Sequence, residues 1–254
     1  MRNQLITIAL VIAFGCGPAL AAPQKKKPRK LYNCTAQLQK AVQRYDKGRY
    51  ADVKTILEEV RYQCSGNSMI DTVLYYLGMS SLEMKQPVEA VTEFKRLSQN
   101  YPNSVFHEET EFRIGQCSFI QSNSYERDQT ETRDAIRELT DFIDTYPASV
   151  FADSAKLYLD KCIDKLAHKE YSVARFYHKS GQYSAAIVYY QSVLDGYPQS
   201  DYVPDSRLYM AVALGKISRP AEARMILTEL ADGSAGEAIA KKAKKALQRL
   251  DKRK

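Results

Sequence analysis

Past residue 22 the chain has no run approaching the roughly 20 apolar residues that a membrane-spanning helix needs. A helical membrane domain is thereby excluded from its body. Tryptophan is absent, histidine occurs only at His107, His168 and His178, and runs of β-branched residues are scarce beyond the first twenty positions. That last shortage, set beside eighteen Tyr and abundant Ala, Leu and Lys, favours helices over sheets. None of the histidines has a Cys, Asp or His at the spacing zinc ligands adopt, so no metal is expected. There is also no Gly-rich phosphate loop, no Gly-x-Ser-x-Gly and no Cys/His nucleophile arrangement. Paired acids such as Glu58-Glu59 and Glu108-Glu109 occupy adjacent helical positions, where the side chains diverge and cannot straddle one bond. These absences leave no catalytic apparatus and no cofactor, and the chain reads as a non-enzyme.

The formal charge of +7 invites a nucleic-acid reading, but its distribution argues otherwise. Residues 1–30 hold six basic groups and no acid, and residues 237–254 hold eight against Glu237 and Asp251. Residues 31–236 therefore carry 23 basic and 28 acidic groups, a net charge of about −5. A surface that tracks nucleic acid needs its cations on the folded body, so nucleic acid is not expected as a partner.

The N-terminus reads as an address. Arg2, the apolar stretch Leu5 to Phe14 and Ala19-Leu20-Ala21 make a secretory signal peptide over residues 1–21. Within it, Ala13-Phe14-Gly15-Cys16 is similar to a bacterial lipobox, so lipidation at Cys16 and cleavage after Ala21 are two alternative processing routes. Residues 22–31 are a basic, proline-punctuated tether with nothing to bury. Four further cysteines, Cys34, Cys64, Cys117 and Cys162, enter an oxidising compartment by either route. Cys34 is expected at the start of one helix and Cys64 at the end of its antiparallel partner, which brings the pair within bridging reach.

Internal repetition is the strongest signal. Tyr101-Pro102-Asn103-Ser104-Val105-Phe106, Tyr146-Pro147-Ala148-Ser149-Val150-Phe151 and Tyr197-Pro198-Gln199-Ser200-Asp201-Tyr202 are three copies of one helix-stop, turn and helix-start unit. Proline halts the preceding helix, and the serine two residues on is expected to cap the next. Between these marks, Leu74, Leu77, Gly78, Ala90, Phe94 and Pro102 fall at the spacings of the 34-residue tetratricopeptide unit. The same frame carries Ala41, Val53 and Leu57, then Ala174, Tyr177, Ala186, Tyr190 and Pro198, then Ala211, Leu214, Ala223 and Leu227. Its small residues let paired helices approach and its large ones fill the gap.

The expected fold is thus all-α, a tetratricopeptide-repeat solenoid of about five helix pairs over residues 32–235. Residues 236–254 form a basic C-terminal helix that caps the open end through Ile239, Ala243, Ala246, Leu247 and Leu250. Gly115 and Ala135 stand twenty residues apart where twelve is normal, which places a polar insertion from Ser122 to Gln129 on the rim. No turn signal separates Ala152 from Lys179, so one helix of 28 residues is expected there. Cys117 and Cys162 fall at equivalent places on neighbouring inner helices, about 8–10 Å apart. That exceeds disulfide reach, and both read as buried small hydrophobes.

A superhelix of helix pairs leaves its first helices lining a groove suited to an extended peptide. Leu38, Tyr45, Tyr75, Met79, Leu82 and Phe112 are its candidate peptide-binding residues, with Lys40 and Arg44 placed to meet a carboxylate. For each of them the alternative is burial against the neighbouring repeat.

Lys169-Glu170-Tyr171-Ser172-Val173-Ala174-Arg175-Phe176-Tyr177, continuing through Ser180-Gly181-Gln182-Tyr183 to Tyr197-Pro198, resembles the BamD (YfiO-like) family. This is the tetratricopeptide lipoprotein family of the outer-membrane β-barrel assembly machine, and the likeness extends over roughly residues 32–232. It implies a non-catalytic scaffold at the periplasmic face of the outer membrane, lipid-anchored or soluble. It further implies docking on a BamA-like barrel subunit through the later repeats and recognition of unfolded outer-membrane proteins by the first ones. The alternative is a coordinator of cell-envelope division and peptidoglycan synthesis resembling CpoB, whose N-terminal coiled coil has no counterpart before residue 34.

Overall fold

Every small residue of the repeat frame is a contact point, and the computed structural model shows what each one touches. It describes residues 32–252. The signal peptide, the tether and Cys16 lie outside them. From Asn33 onward the chain is one compact unit. The described residues form eleven helices and no strand. They are α1 (Cys34–Tyr45), α2 (Tyr50–Gln63), α3 (Ile70–Glu83), α4 (Pro87–Asn100), α5 (His107–Gln121) and α6 (Thr130–Thr145), followed by α7 (Ala152–Lys179), α8 (Tyr183–Gly196), α9 (Val203–Leu214), α10 (Pro220–Leu230) and α11 (Glu237–Asp251). Successive helices pack on one another, which yields five antiparallel pairs with α11 closed over α9 and α10.

The frame positions are the core. In the first helix of each pair, Ala41, Gly78, Gly115, Ala174 and Ala211 supply the small residue, and all five are buried. Leu57, Phe94, Leu139, Tyr190 and Leu227 face them from the second helices, each almost wholly buried. Sixteen residues separate the partners in four pairs and twenty-four in the pair Gly115 and Leu139, the difference being the insertion. At Gly78 the approach leaves no room for a methyl group: a Cβ there would lie 2.5 Å from Phe94 Cε1.

The turn inside four of the pairs is one structure repeated. Gly48, Lys85, Gly181 and Ser218 all take positive φ, between 59° and 77°. The next N–H reaches back five residues in each, from Arg49, Gln86, Gln182 and Arg219 to the carbonyls of Arg44, Ser81, Tyr177 and Leu214. This is the six-to-one bond of a left-handed helix stop.

Between pairs, the Tyr-Pro units end α4, α6 and α8, the N–H of Tyr101, Tyr146 and Tyr197 donating to the last helical turn. Their serines differ from expectation. The residues that cap α5, α7 and α9 are Phe106, Phe151 and Tyr202, with no side-chain cap bond. Ser104, Ser149 and Ser200 accept instead from the N–H of those aromatic residues, at 3.1–3.2 Å. The hydroxyl bond closes inside the turn, because each serine stands two residues before the helix cap. Ser104 and Ser200 also donate to Asp71 and Asp164 at 2.7 Å, tying the turn to an earlier helix.

Helix α7 is continuous over its 28 residues and packs against α6 and α8. The insertion 122–129 is organised rather than simply solvated: Gln129 is buried, donates to the carbonyls of Ser124 and Arg127 and accepts from Thr132. Lys165 and Lys169 of α7 donate to the loop carbonyls of Ser122 and Arg127. Cys34 and Cys64 form a disulfide between α1 and the end of α2, with Cα atoms 6.2 Å apart. Cys117 and Cys162 are buried free thiols, made less acidic by burial, which pushes their pKa up to about 12 and about 11.

Candidate peptide-binding groove

The aromatic residue that ends each Tyr-Pro unit lies flat on a ring of the preceding first helix. Phe106 stacks on Tyr75 at 4.2 Å, Phe151 on Phe112 at 5.0 Å and Tyr202 on His168 at 4.6 Å between ring centroids. Planar contacts of this kind hold the first helices of neighbouring pairs in register. Around the first of them the rings run on: Tyr75 meets Tyr76 edge-on, Tyr76 meets Tyr45, and Tyr45 meets Tyr50. The result is an unbroken row from Tyr50 to Phe106, spanning α1 and α3.

Of the candidate residues, Tyr45, Tyr75, Leu82 and Leu38 are half-buried and keep part of their surface in solvent. Met79 and Phe112 are corrected by the structure. At 8% and 3% exposure they are core residues, Met79 packed with Phe94 and Cys117, Phe112 with Phe142 and Phe151. The neighbouring repeat covers both. Lys40 is exposed at the side of α1, whereas Arg44 is engaged by Asp52, which also pairs with Arg49 at 2.6 Å.

Four residues outside the candidate set complete the surface. Tyr50, Tyr76 and Phe106 belong to the aromatic row. Arg113 lies beside it on α5, donating to Glu109 at 2.7 Å and Gln116 at 2.9 Å, with its guanidinium 5.3 Å from the Phe112 ring and 5.7 Å from that of Phe151. Tyr75 donates its hydroxyl to the same Glu109, at 2.9 Å. Phe106 was readable as the last letter of a unit repeated three times. Arg113 has no such signal, because its place is set by the ring of Phe151, which reaches it from the next Tyr-Pro unit.

The row carries hydroxyls that stay protonated. Burial, then the carboxylate of Glu83, pushes Tyr45 up to about 12. Burial and Glu109 raise Tyr75 further still. At neutral pH the surface therefore offers apolar faces and neutral O–H groups, with the Arg113 guanidinium beside them, paired to Glu109. That combination can clasp an extended chain with apolar side chains and one or more carboxylates. Among the described residues no group of His, Cys, Asp and Glu is placed to hold a metal, and no helix is long and apolar enough to cross a membrane.

With the repeats and the groove in view, comparison with known proteins is informative. Residues 35–226 match the family model described as YfiO, outer membrane lipoprotein. The chain belongs to the YfiO family. It is similar to the outer membrane protein assembly factor BamD of Caulobacter vibrioides, 26% identical over 222 residues that cover 86% of this chain and 72% of the relative. The protein of the same name from Neisseria gonorrhoeae is 26% identical over 247 residues, covering 89% and 90%. Among solved structures, the tetratricopeptide domain of P58(IPK) aligns with 86% of this chain and 56% of its own at 15% identity, with a TM-score of 0.43. The YfiO match begins one residue after Cys34 and stops inside α10, so α11 lies beyond it.

Proposed function

We propose that this YfiO-family protein is a non-catalytic scaffold in outer-membrane protein assembly. It works at the periplasmic face of the outer membrane, attached through a lipidated Cys16 or free after cleavage at Ala21. In this reading the groove of the first three repeats takes an extended, apolar segment of an unfolded outer-membrane protein. The later repeats dock on a BamA-like barrel subunit. The observation that carries the peptide half is the aromatic row from Tyr50 through Tyr45, Tyr76 and Tyr75 to Phe106, half-open to solvent with Arg113 beside it on α5. The assembly half rests on the relatives, which are named as assembly factors.

The test is binding of a labelled peptide copied from the C-terminal strand of an outer-membrane barrel protein. Tyr45→Ala is expected to weaken it about tenfold, the size of losing one aromatic contact surface. Tyr75→Phe keeps the stack on Phe106 and removes only one bond to Glu109, which Arg113 still holds, and is expected to change affinity less. Unchanged binding in Tyr45→Ala would remove the groove from the proposal. Capture of the tagged protein from membranes in mild detergent tests the docking half, and failure to recover a BamA-like barrel subunit would sink it. Mass spectrometry of the mature N-terminus distinguishes acylated Cys16 from a chain starting at Ala22.

A further inference from the structure

A second surface lies at the other end of the chain. A cavity of 330 Å³ opens between α7, α9 and α11. Its floor is apolar, made by Leu208, Ala211, Val212, Leu227, Ala246 and Leu250. Its rim is cationic: Lys216 from the end of α9, with Lys242, Lys245 and Arg249 from α11. No carboxylate lines it.

The acids nearby are already paired, one of them with the rim residue Lys242. Asp205 holds Lys242 at 3.1 Å, Asp251 holds Arg224 at 2.5 Å, Arg207 takes Glu229, and Arg219 takes Glu222 at 2.5 Å. Among the described residues this leaves Lys216, Lys245 and Arg249 facing the cavity without a carboxylate. Behind them Arg175 lies 3.7 Å over the ring of Tyr209, another lining residue. The positive field registers on His178, which burial, then Arg175 and Lys216, make harder to protonate.

The geometry selects the occupant. Lys245 and Arg249, four residues apart, lie one turn from each other on α11, about 6 Å along its axis. That is the reach of about two residues of extended chain. An interfacial helix would need its apolar face free for lipid. In α11 that face is used, Ile239 and Ala243 being buried against Leu208, Leu227 and Leu230. A ligand must therefore bring its own apolar group into the cavity. The volume is at the small end of ligand pockets, suited to one or two side chains and not to paired acyl chains.

We propose that the cavity between α9 and α11 binds an acidic segment of a partner protein, seating one large apolar side chain on its floor and flanking carboxylates on Lys216, Lys245 and Arg249. One wall of this site is α11, which lies outside the residues that match the YfiO family. The site is independent of the aromatic groove and does not rest on the assembly role.

The test is fluorescence anisotropy of the full mature chain with a labelled pentapeptide, a central phenylalanine between two acidic residues on each side. Saturable binding is expected that weakens as salt rises from about 50 to about 300 mM. Replacing the phenylalanine by serine, or making the double variant Lys245→Glu with Arg249→Glu, is expected to weaken it about tenfold or more. Lys244→Glu, on the exposed side of α11, keeps the same helix and should change affinity less than threefold. Tyr45→Ala should leave it unchanged, which separates this site from the groove. Circular dichroism of each variant confirms that the helices persist, and Lys245→Arg should retain binding if folding is intact. Absence of saturable binding overturns the proposal, as does equal loss in Lys244→Glu and the double reversal. Displacement of the peptide by vesicles containing phosphatidylglycerol, with no effect of the phenylalanine, would assign the cations to a lipid surface instead.

Discussion

Gly78 shows how much one hydrogen atom can carry. Its Cα faces the Phe94 ring so closely that a methyl group would meet three ring carbons at 2.5–2.8 Å. The ring is fully buried and cannot swing away. Gly78→Ala is therefore expected to destabilise the fold by about 1–3 kcal/mol, the cost of overpacking a rigid core, as a lower midpoint of thermal unfolding. At Gly115 a methyl group would meet Leu139 Cδ2 at 2.8 Å and Cγ at 2.9 Å, in a side chain that is equally buried. Gly115→Ala should cost a similar amount. The tyrosines make a second prediction at this scale. Tyr45 ionises near 12 when folded against 10.0 unfolded, so the protonated native state is favoured. Its contribution is complete below pH 10 and is lost as pH rises to 12. Tyr75, Tyr171 and Tyr190 shift in the same direction, each chiefly through burial. Denaturant midpoints should thus fall steeply between pH 10 and 12, and the absorbance of tyrosinate should appear in two stages, exposed rings first. A single transition at the ordinary tyrosine value would contradict this.

The repeated helix stop sets what the elements require of their sequence. Gly48 and Gly181 take the left-handed conformation without strain, but Lys85 and Ser218 occupy the same place at φ 59° and 63°. A side chain there costs roughly 1–2 kcal/mol against glycine, partly offset by glycine's greater freedom when unfolded. Lys85→Gly and Ser218→Gly should each raise stability by about 0.5–1 kcal/mol, measurable by urea denaturation. The glycine-marked turns could be read from the sequence. Gln86-Pro87-Val88 marks another through its proline, but the left-handed residue itself is unmarked at Lys85 and Ser218, because the bond from Gln86 to Ser81 or from Arg219 to Leu214 depends on backbone geometry that any residue can be forced to adopt. The same limit applies to the serines of the Tyr-Pro units: their type and spacing suggested a cap, and only the position of the helix cap showed that each serine stands two residues before it.

Across the whole molecule, stability is passed from pair to pair, since each helix touches mainly its neighbours in sequence. A terminal pair has a neighbour on one side only, and the Cys34–Cys64 disulfide closes a 30-residue separation in the first of them. Replacing both cysteines by serine should cost about 3–4 kcal/mol in the chain-entropy model. Hydrogen exchange should show the loss concentrated in α1 and α2, with α8 and α9 unchanged. At the other end α11 covers Leu208, Leu227 and Leu230. Truncation after Ala235 should leave α10 the fastest-exchanging helix of the remaining chain.

What the sequence by itself determined is the class of fold and its irregularities: helices in pairs, small residues facing large ones, the inserted loop and the fused helix α7. These follow from spacing along the chain, which local sterics and helical periodicity convert directly into structure. Only the tertiary structure decided which apolar residues of the first helices remain open. Tyr45 and Tyr75 keep solvent contact while Met79 and Phe112 are sealed, because a side chain's exposure depends on what the next repeat lays over it. The cationic cavity is of the same kind. Its cations come from two separate stretches of sequence, and α11 folding back on α9 is what brings Lys216 to the same cavity as Lys245 and Arg249.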